Sequence, residues 1–233
     1  QMNDAWIADH CIRRIENRPK EKPFFICCGF NGPHPPFKIP EPYFSMYNPD
    51  DVPEPLNFLP EKDKPASKEN SFYRQLWRDN GDSWASWRKS VAVYWGFCSF
   101  IDHQVGRLVE CLKQEQAYED TLVIYCSDHG EMLGQHGLWH KMQAYEESLR
   151  VPMIFSQPTW NYAVRSSALV SLLDIPSTIL SAAGLDIPES YQGIDLCRGI
   201  FDEDWVPDRN YLYSEQKPLG AFHGEVDWRM ITD

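Results

Sequence analysis

Leu122 to Tyr125 forms a run of apolar, β-favouring residues that leads through Cys126 and Ser127 into the polar cluster Asp128–His129–Gly130. A second polar cluster, His136 to Lys141, follows within a loop's reach. A short continuous apolar run marks a strand buried on both faces, as in a parallel, helix-covered sheet. Ligands of such sheets sit beyond the carboxyl ends of the strands. The segment therefore constrains the fold and points to where its chemistry lies.

Two further runs of strand length are Pro23 to Phe30 and Val151 to Phe155. Helical patterns separate them. From Met2 to Arg18, the residues Ala5, Ala8, Cys11, Ile12 and Ile15 fall near one face, and Pro19 closes the helix by pushing Arg18 out of the α region. From Ser86 to Gln114, Val91, Tyr94, Trp95, Cys98, Ile101, Val105, Leu108 and Leu112 form a long stripe. Residues 168–183 suit a helix kinked or restarted at Pro176, with Gly184 as its stop. Leu212 to Ser214 is a short strand candidate, and the terminal VDWRMITD has strand character. Strands alternating with helices predict an α/β fold with a mostly parallel sheet covered by helices. Residues 35–85 read as an irregular excursion, proline-rich up to residue 65 and kept ordered by Phe37, Tyr43, Phe44 and Tyr47.

The 233 residues carry a formal charge of −12, which argues against nucleic acid, whose backbone calls for clustered Lys and Arg. No apolar run is long enough to cross a membrane, and residues 1–20 lack the apolar core of a secretory signal. Seven cysteines without a CxxC pair fit reduced thiols of a cytosolic protein. A periplasmic or secreted location stays open if a signal lies upstream.

Asp128 and His129 are consecutive at a strand end, so both reach one ion only if the chain turns, which Gly130 permits. They suit a divalent metal or an acid–base couple, or Asp128 merely caps the following turn. Lys141 is either an anion contact or a solvated charge. His34, in the proline-stiffened loop after Pro23–Phe30, is placed as a proton donor, an anion contact or a surface histidine.

Residues 121–154, TLVIYCSDHGEMLGQHGLWHKMQAYEESLRVPMI, resemble the metal-and-lysine segment of type I sulfatases, within the alkaline phosphatase superfamily. KPFFICCGFNGPHPPF at 22–37, VYWGFCSFIDHQVGRLVECL at 93–112 and VSLLDIPSTILSAAGLDIP with YQGIDL are similar to the same family. The resemblance implies a sulfatase-like α/β catalytic domain over residues 1–200, with 201–233 beginning a C-terminal region. It implies that Asp128 and His129 are metal ligands, that Lys141 holds the sulfate and neutralises the leaving oxygen, and that His34 contacts the sulfate or protonates the leaving group. Calcium is the ion first expected, with Mn²⁺, Mg²⁺ or Zn²⁺ open because one ligand is an imidazole. Glu146, Glu147 and Arg150 also match, as structural charge pairs, and His136 lines the pocket or packs its loop.

The family's nucleophile is a formylglycine made in a C-x-[PA]-x-R or S-x-P-x-R context, and neither occurs here. The upstream aspartate pair that completes the metal site is also missing. The chain therefore reads as the central part of a longer sulfuric ester hydrolase, expected to be inactive alone and to expose apolar edges. The expected partner is a small-molecule or carbohydrate sulfate ester, with Trp77, Trp84 and Trp87 either stacking on it or packing in the core. The alternatives are a phosphonate or phosphate ester hydrolase of the same superfamily and a non-catalytic binding module.

Overall fold

The computed structural model describes residues 3–58, 83–141, 143–159, 163, 165–201, 205–216 and 228–233. Two compact units result, one of residues 1–121 with 132–139, the other of residues 122–131 with 140–233.

The first unit is built on two helices, α1 (Asn3–Glu16) and α2 (Trp84–Gln114). The face of α1 that carries Ala8, Cys11 and Ile15 is buried, as its spacing predicts, and so is Asp4. The two helices pack together, and Arg107 of α2 reaches Asp9 of α1 at 2.5 Å. Along α2 the buried arc is wider than the predicted stripe. Val91, Ile101 and Leu112 are buried, but so are Trp87, Ala92, Phe97, Phe100, Gln104 and Cys111, whereas Cys98 is exposed. Two different partners explain this. Ala5, Phe30, Ile39 and Tyr43 pack on Phe97, Phe100 and Ile101, and Val52, Phe58 and Trp139 pack on Trp87, Val91 and Ala92.

The excursion is irregular over its described part, residues 35–58, with a single 3₁₀ turn at Pro49–Asp51, and residues 59–82 lie outside the described residues. Close backbone approach pins it to α2: a Cβ on Gly96 would stand 2.0 Å from the Tyr43 carbonyl oxygen. Edge-to-face rings fill the core behind it, with Phe58 at 5.2 Å from both Trp84 and Trp87 and Trp87 at 5.7 Å from Trp139.

The second unit holds β1 (Val123–Cys126), the one-turn α3 (Glu146–Leu149), β2 (Met153–Ser156), α4 (Asp174–Ala182), α5 (Cys197–Phe201), β3 (Leu212–Gln216) and β4 (Trp228–Thr232). The α/β class stands, but the pairing direction differs from the predicted parallel order. Both ladders among the described residues are antiparallel, β1 with β2 from Val123↔Ser156 to Cys126↔Met153, and β3 with β4 from Leu212↔Thr232 to Gln216↔Trp228. Parallel neighbours need a long crossover, usually a helix. Residues 127–152, which join β1 to β2, hold a 3₁₀ turn at Gln135–Gly137 and the four-residue α3, and among the described residues no helix long enough to span a sheet face. Nor is β1 covered throughout, since Tyr125 and Cys126 are exposed. Pro23–Phe30 has no ladder partner among the described residues, although its burial alternates residue by residue as a pleated segment's does. Its Phe25 is 72% exposed.

Helix α4 starts later than predicted and absorbs Pro176 in its first turn, where a missing N–H is tolerated. It ends in a Schellman motif. Gly184, at φ +69°, donates to the Ser181 carbonyl at 2.9 Å and Leu185 to the Leu180 carbonyl at 2.9 Å. The YQGIDL strip is laced to this helix. Ser177 donates to the Gly193 carbonyl at 2.9 Å, Ser181 to Asp195 at 2.6 Å, and the Leu196 N–H to Thr178 at 3.0 Å. No described helix is long and apolar enough to cross a membrane, and all seven cysteines are free thiols.

Candidate active site

The turn after β1 is shaped by glycine. The Gly130 N–H donates to the Ser148 carbonyl at 2.8 Å, and a Cβ on Gly130 would lie 2.1 Å from the Glu147 carbonyl oxygen. No other residue fits without moving the Glu147–Arg150 backbone, so α3 and the strand end are held as one piece. Ser127 Oγ adds a bond to the His129 carbonyl at 2.8 Å.

This turn brings Asp128 and His129 together. Asp128 Oδ1 accepts the adjacent His129 N–H at 3.0 Å. The other carboxylate oxygen, Oδ2, lies 3.7 Å from His129 Nε2. His129 Nδ1 meets the Gly130 carbonyl at 2.8 Å. A carbonyl only accepts, so Nδ1 carries the proton and the neutral ring presents a lone pair on Nε2. Two electron-pair donors thus face each other, and that arrangement accepts a cation or a proton between them. The Asp128 side chain is 86% exposed, so the pair is reachable from solvent. The donor set fits one side of a divalent ion's shell, with the imidazole fixed by an outer hydrogen bond as metal-binding histidines are. Among the described residues no group of three or more His, Cys, Asp or Glu assembles, so the remaining ligands would come from elsewhere.

Lys141 belongs to the same unit and is half-buried. It follows His140, whose φ of +67° is left-handed. Such backbone is unusual outside glycine, and Leu133 and His136 share it at +45° and +55°. Nothing in the sequence signals this backbone at the non-glycine positions, because their spacing is that of any polar loop.

His34 lies in the first unit, so its geometry stands separately from that of the strand end. It is exposed, its N–H donates to the Asn31 carbonyl at 3.0 Å, and its Nδ1 meets the Pro35 carbonyl at 2.7 Å. By the same reasoning Nδ1 is the protonated nitrogen of the neutral ring, which leaves the lone pair on Nε2. His136 contacts Asn57 at 3.2 Å, which matches the loop-packing alternative. Trp87 is 8% exposed and Trp84 donates to the Val52 carbonyl at 3.2 Å, so both serve the core, while Trp77 lies outside the described residues. Arg150 and Glu146 form an exposed pair at 3.9 Å, consistent with a structural role.

An α/β frame that carries a carboxylate–imidazole pair beyond a strand end has the architecture of the alkaline phosphatase class. A phosphonate monoester hydrolase from Silicibacter pomeroyi superposes with a TM-score of 0.81 at 27% identity, over 97% of this chain and 46% of that one. Within that class the chain belongs to the sulfatase family, whose profile matches residues 1–185. It is 30% identical over 217 residues to an arylsulfatase of Clostridium perfringens, covering 90% of this chain and 44% of that protein. It is 25% identical over 271 residues to an N-acetylglucosamine-6-O-sulfatase of Bacteroides thetaiotaomicron, covering 90% and 49%. The chain thus spans about half the length of the curated relatives it matches.

Proposed function

We propose that these residues supply part of the active site of a sulfuric ester hydrolase, whose activity resides in a longer protein containing this chain. The observation that carries the reading is the Asp128–His129 pair, two facing electron-pair donors at a strand end, in a chain of the sulfatase family. Asp128 and His129 are assigned as two ligands of a divalent ion. Family membership favours Ca²⁺, and an imidazole among the ligands leaves Mn²⁺, Mg²⁺ or Zn²⁺ open. When bound, such an ion supplies charge stabilisation at the sulfate oxygens and at the nucleophile.

Two further residues of the chain act on the ester itself, Lys141 and His34. Lys141 places a fixed cation against charge that grows on the equatorial and leaving oxygens as the S–O bond breaks. His34, with Nδ1 engaged by the Pro35 carbonyl, donates a proton from Nε2 to the departing alkoxide when it is an imidazolium. The nucleophile is assigned to a formylglycine outside these 233 residues, since no cysteine or serine here stands in its processing motif. The substrate class is a sulfate ester of a small molecule or carbohydrate, in keeping with the arylsulfatase and the N-acetylglucosamine-6-O-sulfatase among its relatives.

A second reading, hydrolysis of phosphonate or phosphate esters, draws on the likeness to the Silicibacter enzyme. Turnover of 4-nitrophenyl sulfate, a sugar sulfate, a phosphonate monoester and 4-nitrophenyl phosphate by the full-length protein separates the two. The sulfate esters are expected to have the highest kcat/KM, with Lys141→Ala lowering it by about 10²–10³-fold. A phosphonate monoester turned over best overturns the assignment in favour of the second reading.

A further inference from the structure

The loop that carries His34 is held from below by a residue the mechanism does not use. Asp4, in the first turn of α1, is only 2% exposed. Its Oδ1 accepts the Asn31 N–H at 2.7 Å and the Gly32 N–H at 3.2 Å. A buried carboxylate is costly unless donors satisfy it, and charge-assisted bonds of this kind are among the stronger ones. The same two residues open the turn that the His34 N–H closes onto the Asn31 carbonyl at 3.0 Å. On the other side the turn meets α2, where a Cβ on Gly32 would lie 2.3 Å from the Phe97 ring and 2.9 Å from Ile101. Pro33, Pro35 and Pro36 flank His34 and restrict φ on either side of it.

We propose that Asp4 is a positioning residue for His34: its carboxylate anchors the Asn31–Gly32 amides and so sets where the His34 imidazole stands. Asp4 touches no reacting atom in this scheme and acts only through the turn. The proposal rests on the assignment of His34 as proton donor, and it adds a long-range link, from α1 to the loop, that the sequence spacing does not reveal. The consequence is chemical as well as structural. Protonation of the leaving oxygen matters most for poor leaving groups, so a misplaced donor is felt by an alkyl or sugar sulfate far more than by 4-nitrophenyl sulfate.

The test is the kcat and KM of the full-length enzyme on a sugar sulfate and on 4-nitrophenyl sulfate. Asp4→Ala is expected to lower kcat on the sugar sulfate by about 10²-fold, the scale on which small misplacements act, with a much smaller loss on the nitrophenyl ester and little change in KM. Asp4→Asn keeps an acceptor oxygen and is expected to stay near wild type. Gly32→Ala, which presses the turn from the Phe97 side, is expected to show the Asp4→Ala signature and serves if that variant does not fold. The double variant Asp4→Ala/His34→Ala is expected to be no slower than His34→Ala alone. Equal losses on the two esters, or additive losses in the double variant, overturn the proposal while His34→Ala keeps its own selectivity. If His34→Ala itself slows both esters equally, the proton-donor assignment fails and the positioning role falls with it.

Discussion

At the scale of single residues, the orientation of two imidazoles decides what the chain can do. His129 and His34 each spend Nδ1 on a neighbouring backbone carbonyl, at 2.8 and 2.7 Å. Nitrogen-15 NMR of the imidazoles is therefore expected to show Nδ1 protonated and Nε2 bare in the neutral rings, whereas the opposite tautomer at His129 would remove the proposed ligand nitrogen. A second prediction concerns Cys28, whose thiol is pushed up to about 12 by burial first and by the hydrogen-bonded Cys11 next. A raised folded value favours the neutral thiol, so its contribution to stability is complete below about pH 9 and is lost as pH rises from there towards 12. Alkaline unfolding that is unchanged in Cys28→Ser would contradict this. Asp128, His129, Lys141 and His34 stand out in the sequence as polar residues after apolar runs, a local pattern, but the roles proposed for them come from the family resemblance. Asp4 does not stand out, because its bonds to Asn31 and Gly32 exist only once α1 has docked.

At the scale of elements, α4 and the strip after it are tied together by side-chain hydrogen bonds of Asp174, Ser177, Thr178 and Ser181. Asp174 is fully buried and pairs with Arg209 through two bonds, at 2.7 and 2.8 Å. It also accepts the N–H groups of Ser171 at 2.7 Å and Ile194 at 2.8 Å. Ser171-x-x-Asp174 before an apolar run is a capping-box pattern, a sequence signal that marks the helix start more closely than Pro176 does. Asp174→Ala leaves the Arg209 guanidinium unpaired and is expected to cost about 3–5 kcal/mol, read from denaturant unfolding. Burial pushes the Asp174 carboxyl up, but Arg209 and the two amides more than reverse it, and its pKa lies below the ordinary value. That stability is present above the unfolded value of about 3.9 and is lost as pH falls through the lower folded one. Acid unfolding of Asp174→Asn should therefore depend less on pH below about 4 than that of the wild type, and parallel curves would contradict the account. Helix existence was legible from periodicity, whereas strand direction was not. An apolar run such as Val123–Cys126 suggests a strand but does not name its neighbour, and the antiparallel pairing with β2 is a long-range contact that only the folded chain displays.

At the scale of the whole molecule, the chain matches its relatives over nearly its full length while spanning about half of theirs. The described residues contribute two candidate ligands at the strand end and no cluster of three. The 233-residue chain alone is accordingly expected to show no sulfatase turnover, and robust metal-dependent turnover that Lys141→Ala abolishes would contradict the division of the site. The central claim is that Asp128 and His129 hold a catalytic ion in a sulfatase, and chelation followed by metal titration of the full-length enzyme tests it most directly. Wild-type sulfate-ester turnover is expected to vanish on chelation and return on adding Ca²⁺, Mn²⁺, Mg²⁺ or Zn²⁺. Asp128→Ala and His129→Ala should need at least about 10–100-fold more of the restoring ion or fail to recover, the penalty known even for residues that only support a ligand. Full turnover after chelation, or variants that recover along the wild-type titration curve, would contradict it.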